Sequence, residues 1–224
     1  MQLNSGILST LRRLRRNTSG LAVLEFALTM PVFTGLGAYG LEVANTALVR
    51  MRVSQVALGV ADNASRAGER STLAVKTIDE ADVKEVFLGA KHQAGNIDVL
   101  AKGRIVLSSL ERNATGGQWI HWQRCKGLKN YPSQYGNQGT GTTGNAFLGM
   151  GPATNRIQAP ADGAVMYVEI AYEFEPMISG YFVAPHVIRY AASYLVRERR
   201  DLSGTGIRNA GNTTDRATCD RFTA

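Results

Sequence analysis

Ser19–Leu41 reads SGLAVLEFALTMPVFTGLGAYGL. From Leu21 on, its only charged residue is Glu25, and Phe26–Leu41 carries none. A helix rises about 1.5 Å per residue, so Leu21–Leu41 spans about 31 Å. The hydrocarbon core of a bilayer is about 30 Å thick. The stretch therefore predicts a membrane-spanning helix. Arg12, Arg13, Arg15 and Arg16 stand just before it. Arginines beside a span hold that side in the cytoplasm, so everything after about residue 45 is expected outside.

Inside the span, Glu25 is the costly residue. A carboxylate at the centre of a membrane helix costs about 2.5–3.5 kcal/mol on insertion scales, and less near the interface. One reading solvates Glu25 among the headgroups. The other gives it a partner charge: hydrolysis of the Gly20–Leu21 bond leaves an ammonium on Leu21, which a neighbouring copy can present to Glu25 in a low-dielectric bundle. Pro31 removes a helix hydrogen bond and is expected to kink the helix. Gly35, Gly37 and Gly40 read either as ordinary membrane-helix glycines or as a packing seam against other helices.

Working outward, Val49, Val53, Val56, Val60, Ala64 and Ala67 recur at helical spacing and make one apolar face. One helix over residues 21–67 is expected, its outer part packed on its own domain. A second helix is predicted over Asp79–His92, capped by Thr77 or Asp79, with Val83, Val86, Phe87 and Ala90 buried. Four strands follow. Arg104–Glu111 and Gln118–Lys126 pair as a hairpin around the turn Asn113–Gly117. In the second of these, Trp119, His121, Gln123 and Cys125 alternate with Ile120, Trp122 and Arg124. Ala164–Glu175 sets Met166, Val168, Ile170, Tyr172 and Phe174 against Tyr167, Glu169, Glu173 and Glu175. Val187–Arg199 closes the set, and its Arg189 and Arg197 suggest Glu–Arg pairs with the preceding strand. Residues 127–163, rich in Gly, Asn, Thr and Gln, read as a flexible surface loop.

The expected class is thus α+β: a long N-terminal transmembrane helix, a second helix and a roughly four-stranded antiparallel sheet. The expected segments are a basic cytoplasmic leader over 1–20, the long helix over 21–67, an exported domain over 68–200 and a polar tail over 201–224. The net charge is +7. Setting the four leader arginines aside, 21 of the 25 basic residues face 18 acidic ones, a balance of +3. The charge is largely a topology signal, and no basic patch interleaved with aromatics marks a nucleic-acid partner. Cys125 and Cys219 are unrelated thiols if the domain is cytosolic and a disulfide pair if it is exported.

Gly20, then Leu21-Ala-Val-Leu24, Glu25 and Phe26, resembles the type IV prepilin processing motif in its short-pilin form. The wider pattern RRLRRNTSGLAVLEFALTMPVF, with Pro31 and then GLEVAN around Glu42, resembles the TadE-like minor pseudopilins of the tight-adherence (Tad/Flp) pilus. The likeness is close over residues 12–50 and loose beyond. It implies a pilin-like fold in the bacterial inner membrane, N-terminus cytoplasmic and C-terminal domain periplasmic or carried into the pilus. It implies cleavage after Gly20 by a prepilin peptidase that tolerates no side chain there. It also implies the partners: that peptidase, the major pilin, sister pseudopilins, the inner-membrane assembly platform and membrane lipid.

No catalytic set is expected. His92, His121 and His186 lie on separate elements without a ligand at metal spacing, and the Asp-x-Ser-x-Ser motif of larger adhesin-like relatives is absent. Gly139-Thr-Gly-Thr-Thr-Gly144 matches a dinucleotide fingerprint on paper, but no strand leads into it and no helix follows. No cofactor is expected. Two rival readings remain: a permanently anchored exported binding or adhesion module using loop 127–163, and a soluble exported protein whose first 47 residues serve as a signal.

Overall fold

The computed structural model describes residues 4–16, 18–68, 75–208 and 216–224. The start of the leader, the link after Gly68 and the middle of the tail lie outside the described residues. The chain is α+β: α1 (Asn4–Arg16), a 3-10 turn (Thr18–Gly20), α2 (Leu21–Arg66), α3 (Glu80–Ala94), β1 (Gly103–Arg112), β2 (Gln118–Lys126), β3 (Val165–Phe174) and β4 (His186–Leu195). The strands form one antiparallel sheet in the order β2-β1-β3-β4. Two compact units are present, Met1–Asn45 with Pro176–Ala184 and Thr46–Glu175 with Pro185–Ala224. The long helix is one element of 46 residues and continues through Pro31.

The second unit holds the core. Val53, Val56, Val60 and Ala64 of α2 are buried, and Val49 and Ala67 are half-buried at the ends of that stripe. The stripe repeats every three to four residues because that is the pitch of a helix laid on a core. In α3 the buried residues include Val83, Val86, Phe87 and Ala90. Asp79 stands at its N-cap, where the Asp82 carboxylate accepts the Asp79 N–H at 2.7 Å. Gln93 ties α3 to α2 by donating to the Gln55 carbonyl at 3.1 Å.

One face of the sheet looks to these helices. Leu107 lies opposite Val168 and Arg124, and Arg124 Nε donates to the Glu80 carboxylate of α3 at 2.9 Å. The other face is covered by residues 127–163, which sequence reading took for a flexible surface loop. That reading is corrected. Met150 and Ala159 of the loop are buried with Leu110, Ile120, Val165 and Tyr167, and Tyr135, Phe147 and Ile157 pack against them. The polar residues of β3 are held from the same side. Ser133 Oγ and Gln134 N donate to Glu169 at 2.5 and 2.8 Å, and Tyr131 Oη donates to Glu173 at 2.9 Å. A sheet buried on both faces needs acceptors and donors for its inward polar groups, and the loop supplies them.

Two further expectations change. The alternation assigned to β2 fails at His121, where a bulge sets Ser109 opposite Trp122 but Leu110 opposite Ile120. The extra residue sends Ile120 to the loop-side core while Trp122 and Arg124 stay on the helix side. The proposed Glu–Arg ladder is out of register: Glu169 lies opposite Ala191, and Arg189 opposite Ala171. Arg189 instead sits 5.1 Å over the Tyr131 ring, and Arg197 meets Asp62 at 3.5 Å. The described parts of the tail are fastened to the unit. Asp201 N donates to Lys76 O and Arg208 N to Ile78 O, each at 2.8 Å, and Ile207 is buried.

Candidate functional site

The stretch that resembles a processing motif lies in the first unit, at the joint between two helices. The leader arginines Arg12, Arg13, Arg15 and Arg16 are exposed on α1. The 3-10 turn ends at Gly20, and α2 begins at Leu21. A Cβ added to Gly20 would meet nothing within 4 Å. Glycine there is worse than alanine by about 1 kcal/mol wherever the chain is helical. Nothing in the fold of the described residues therefore calls for it.

Leu21, Glu25 and Phe26 are all exposed. The Glu25 carboxylate has no hydrogen-bond or ion-pair partner among the described residues; its backbone carbonyl accepts from Thr29 Oγ1 at 2.8 Å. Leu21–Arg66 is the one described helix long and apolar enough to cross a membrane, and its most apolar window is wholly unburied within the chain. Gly35, Gly37 and Gly40 likewise have open space where a Cβ would stand.

Glu42 behaves differently. It is fully buried. Its Oε1 accepts the Met177 N–H at 2.9 Å and its Oε2 the Ile178 N–H at 2.8 Å, with Asn45 Nδ2 at 3.4 Å. Sequence reading noted Glu42 only as part of a pattern and assigned no role to residues 176–185. The available signal was an uncharged run, PMISGYFVAP, after a strand of alternating acids.

In the second unit, Cys125 and Cys219 are joined in a disulfide, 4.7 Å apart at Cα and 94 positions apart in sequence. The bond belongs to a larger fastening. Cys125 N donates to Ala217 O and Gly127 N to Thr223 O, at 2.7 and 2.8 Å. The buried Arg104 donates to the carbonyls of Gly127, Arg221 and Cys219 at 2.6–2.8 Å, and lies 4.4 Å over the Phe222 ring. With Gly139 and Thr140 bonded to Ile120 further along, the outer edge of β2 is covered, which removes an open edge for stray pairing.

The buried His121 and Glu111 form a closed pair. His121 Nδ1 lies 2.7 Å from Glu111 Oε2 and its Nε2 lies 3.1 Å from Gly204 O. Ser109 Oγ donates to Glu111 Oε1 at 2.6 Å. Serine, glutamate and histidine are thus neighbours in the wrong order for a nucleophile and base: the hydroxyl faces the carboxylate, and both imidazole nitrogens are engaged. Arg200 donates to Ala64 O and Ala67 O at 3.0 and 2.8 Å, closing the end of α2, and burial pulls its guanidinium down to about 10. Among the described residues no group of three or more His, Cys, Asp or Glu is placed to hold a metal ion. His121 and Cys125 do not come together: one bonds Glu111, the other Cys219.

Compared with protein-family models, with curated proteins and with solved structures, the chain matches none.

Proposed function

We propose that this chain is a minor pseudopilin that takes part in assembling a Tad/Flp-type adhesion pilus. It is held by Leu21–Leu41 in the bacterial inner membrane with its N-terminus in the cytoplasm and its sheet unit in the periplasm. The observation that carries the reading is the pairing of Gly20 with Glu25. The glycine answers to nothing in the fold of the described residues, and five residues later stands a carboxylate with no partner among them. An outside agent accounts for both. A prepilin peptidase needs bare backbone at residue 20. Hydrolysis of the Gly20–Leu21 amide adds water across that bond, leaving a carboxylate on Gly20 and an ammonium on Leu21. In a bundle of such helices that ammonium can pair with the Glu25 of a neighbouring subunit, where low dielectric strengthens the attraction. Major pilin, sister pseudopilins and the assembly platform are the partners this implies.

N-terminal sequencing of the membrane-fraction protein tests the proposal, with Leu21 expected as the first residue. Gly20→Phe is expected to keep the full precursor mass. A wild-type chain that retains its leader, or a Gly20→Phe chain processed normally, refutes it. The rival reading, a permanently anchored binding module, drew on a free Gly-rich loop over 127–163. That loop is packed on the sheet, which leaves the rival without a distinguishing observation.

A further inference from the structure

Pro176–Ala184 is a short loop with no charged residue, and it shows its apolar side chains to the outside. Tyr181 is 98 % exposed, Met177 67 % and Ile178 44 %. Exposed apolar residues one at a time are ordinary; several on one loop call for an occupant. The position of the loop identifies it. Both oxygens of Glu42, the first acid after the apolar run, accept its backbone N–H groups, so the loop is tied to the helix just beyond Leu41. Tyr39, Leu41 and Val43 are exposed on the helix at the same level.

We propose that the 176–184 loop is a membrane foot: it enters the headgroup–acyl boundary of the leaflet at the Glu42 end of the span. The inference rests on Leu21–Leu41 being a membrane span. Two features favour lipid over a protein partner. Backbone groups that enter a bilayer must already be bonded, because no water is there to satisfy them. Glu42 satisfies Met177 and Ile178, while Ser179 accepts the N–H groups of Tyr181, at Oγ, and of Phe182, at its carbonyl, each at 3.2 Å. A patch that docks on a wet protein surface has no need of this. The side chains are also sorted for an interface: Met177 and Ile178 are wholly apolar, and Tyr181 has an apolar ring with a polar end suited to headgroup depth.

The test uses the full chain reconstituted in phosphatidylcholine–phosphatidylglycerol nanodiscs. A polarity-sensitive fluorophore is placed, one site at a time, by Tyr181→Cys, Phe33→Cys or Thr154→Cys; the native cysteines are joined to each other. Tyr181 touches so little of the chain that its replacement spares the fold. At position 181 the expected result is a blue-shifted emission, quenched by lipids spin-labelled near the headgroup and protected from aqueous iodide. At 33, quenching by lipids labelled deep in the acyl chain is expected; at the exposed Thr154 position, quenching by iodide alone. Iodide quenching at 181 equal to that at 154 overturns the foot. So does a blue shift at 181 that no lipid label quenches, which marks a protein covering. Absence of deep-lipid quenching at 33 overturns the foot through the span itself, and so separates the two failures. Glu42→Gln is expected to lose lipid quenching at 181 while keeping it at 33. Unchanged quenching at 181 overturns the role of Glu42 as the tether.

Discussion

His121 is placed so that both ring nitrogens face oxygen acceptors, Glu111 on one side and the Gly204 carbonyl on the other. Only the imidazolium can donate to both. Burial opposes that charge, but the hydrogen bond and charge of Glu111, with help from Gly204, outweigh it and raise the histidine above its ordinary value. The sign follows from linkage. A raised folded pKa stabilises in full below the unfolded value of about 6.5, and the contribution is lost as pH climbs through the folded value. Melting of the sheet unit is therefore expected to fall as pH rises above about 6.5 and through the raised folded value. In His121→Gln that fall should be blunted, and an equal slope in the variant would refute the assignment. This pair was not legible in the sequence. Glu111 and His121 lie on facing strands, and their meeting depends on a bulge that no alternation pattern reveals. Gly20 and Glu25 can be singled out from sequence alone, because they stand five residues apart and their relation needs no tertiary structure.

At the scale of elements, the helices and strands were readable wherever burial repeats with the period of the element. The Val–Ala stripe of α2, the buried face of α3 and the β1–β2 hairpin all came from local spacing. Residues 127–163 escaped because their apolar residues, among them Tyr135, Phe147, Met150, Ile157 and Ala159, are spaced without period. They are held by scattered contacts to a sheet face and not by an element of their own. The same layer covers the second face of β3, where Tyr167 and Glu169 are buried. The distinction is measurable. Met150 is fully buried in this layer, so Met150→Ala should cost about 2–5 kcal/mol, the usual range for emptying a core site. Urea unfolding of the full chain in detergent, followed by near-UV circular dichroism, reads it. A midpoint unchanged from wild type would return the segment to a loose loop.

At the scale of the whole molecule, the sheet unit is closed by contacts far apart in sequence. The Cys125–Cys219 bridge alone encloses a separation of 94 residues, and in the chain-entropy treatment a loop of about that length is worth about 4–5 kcal/mol. Cys125→Ala/Cys219→Ala should lower the urea midpoint accordingly, with the reduced wild type behaving alike; an unshifted midpoint in both would show the bridge to be dispensable. The fastening of residues 217–223 has a consequence for biogenesis. Two of the carbonyls that neutralise the isolation of Arg104, those of Cys219 and Arg221, follow it by 115 and 117 positions, so they leave the ribosome well after it. A polypeptide abbreviated before residue 219 keeps a sequestered guanidinium short of acceptors and a thiol without a mate. The sheet unit is therefore expected to complete its closure only once residues 217–223 have emerged, whatever the order in which its helices and strands form.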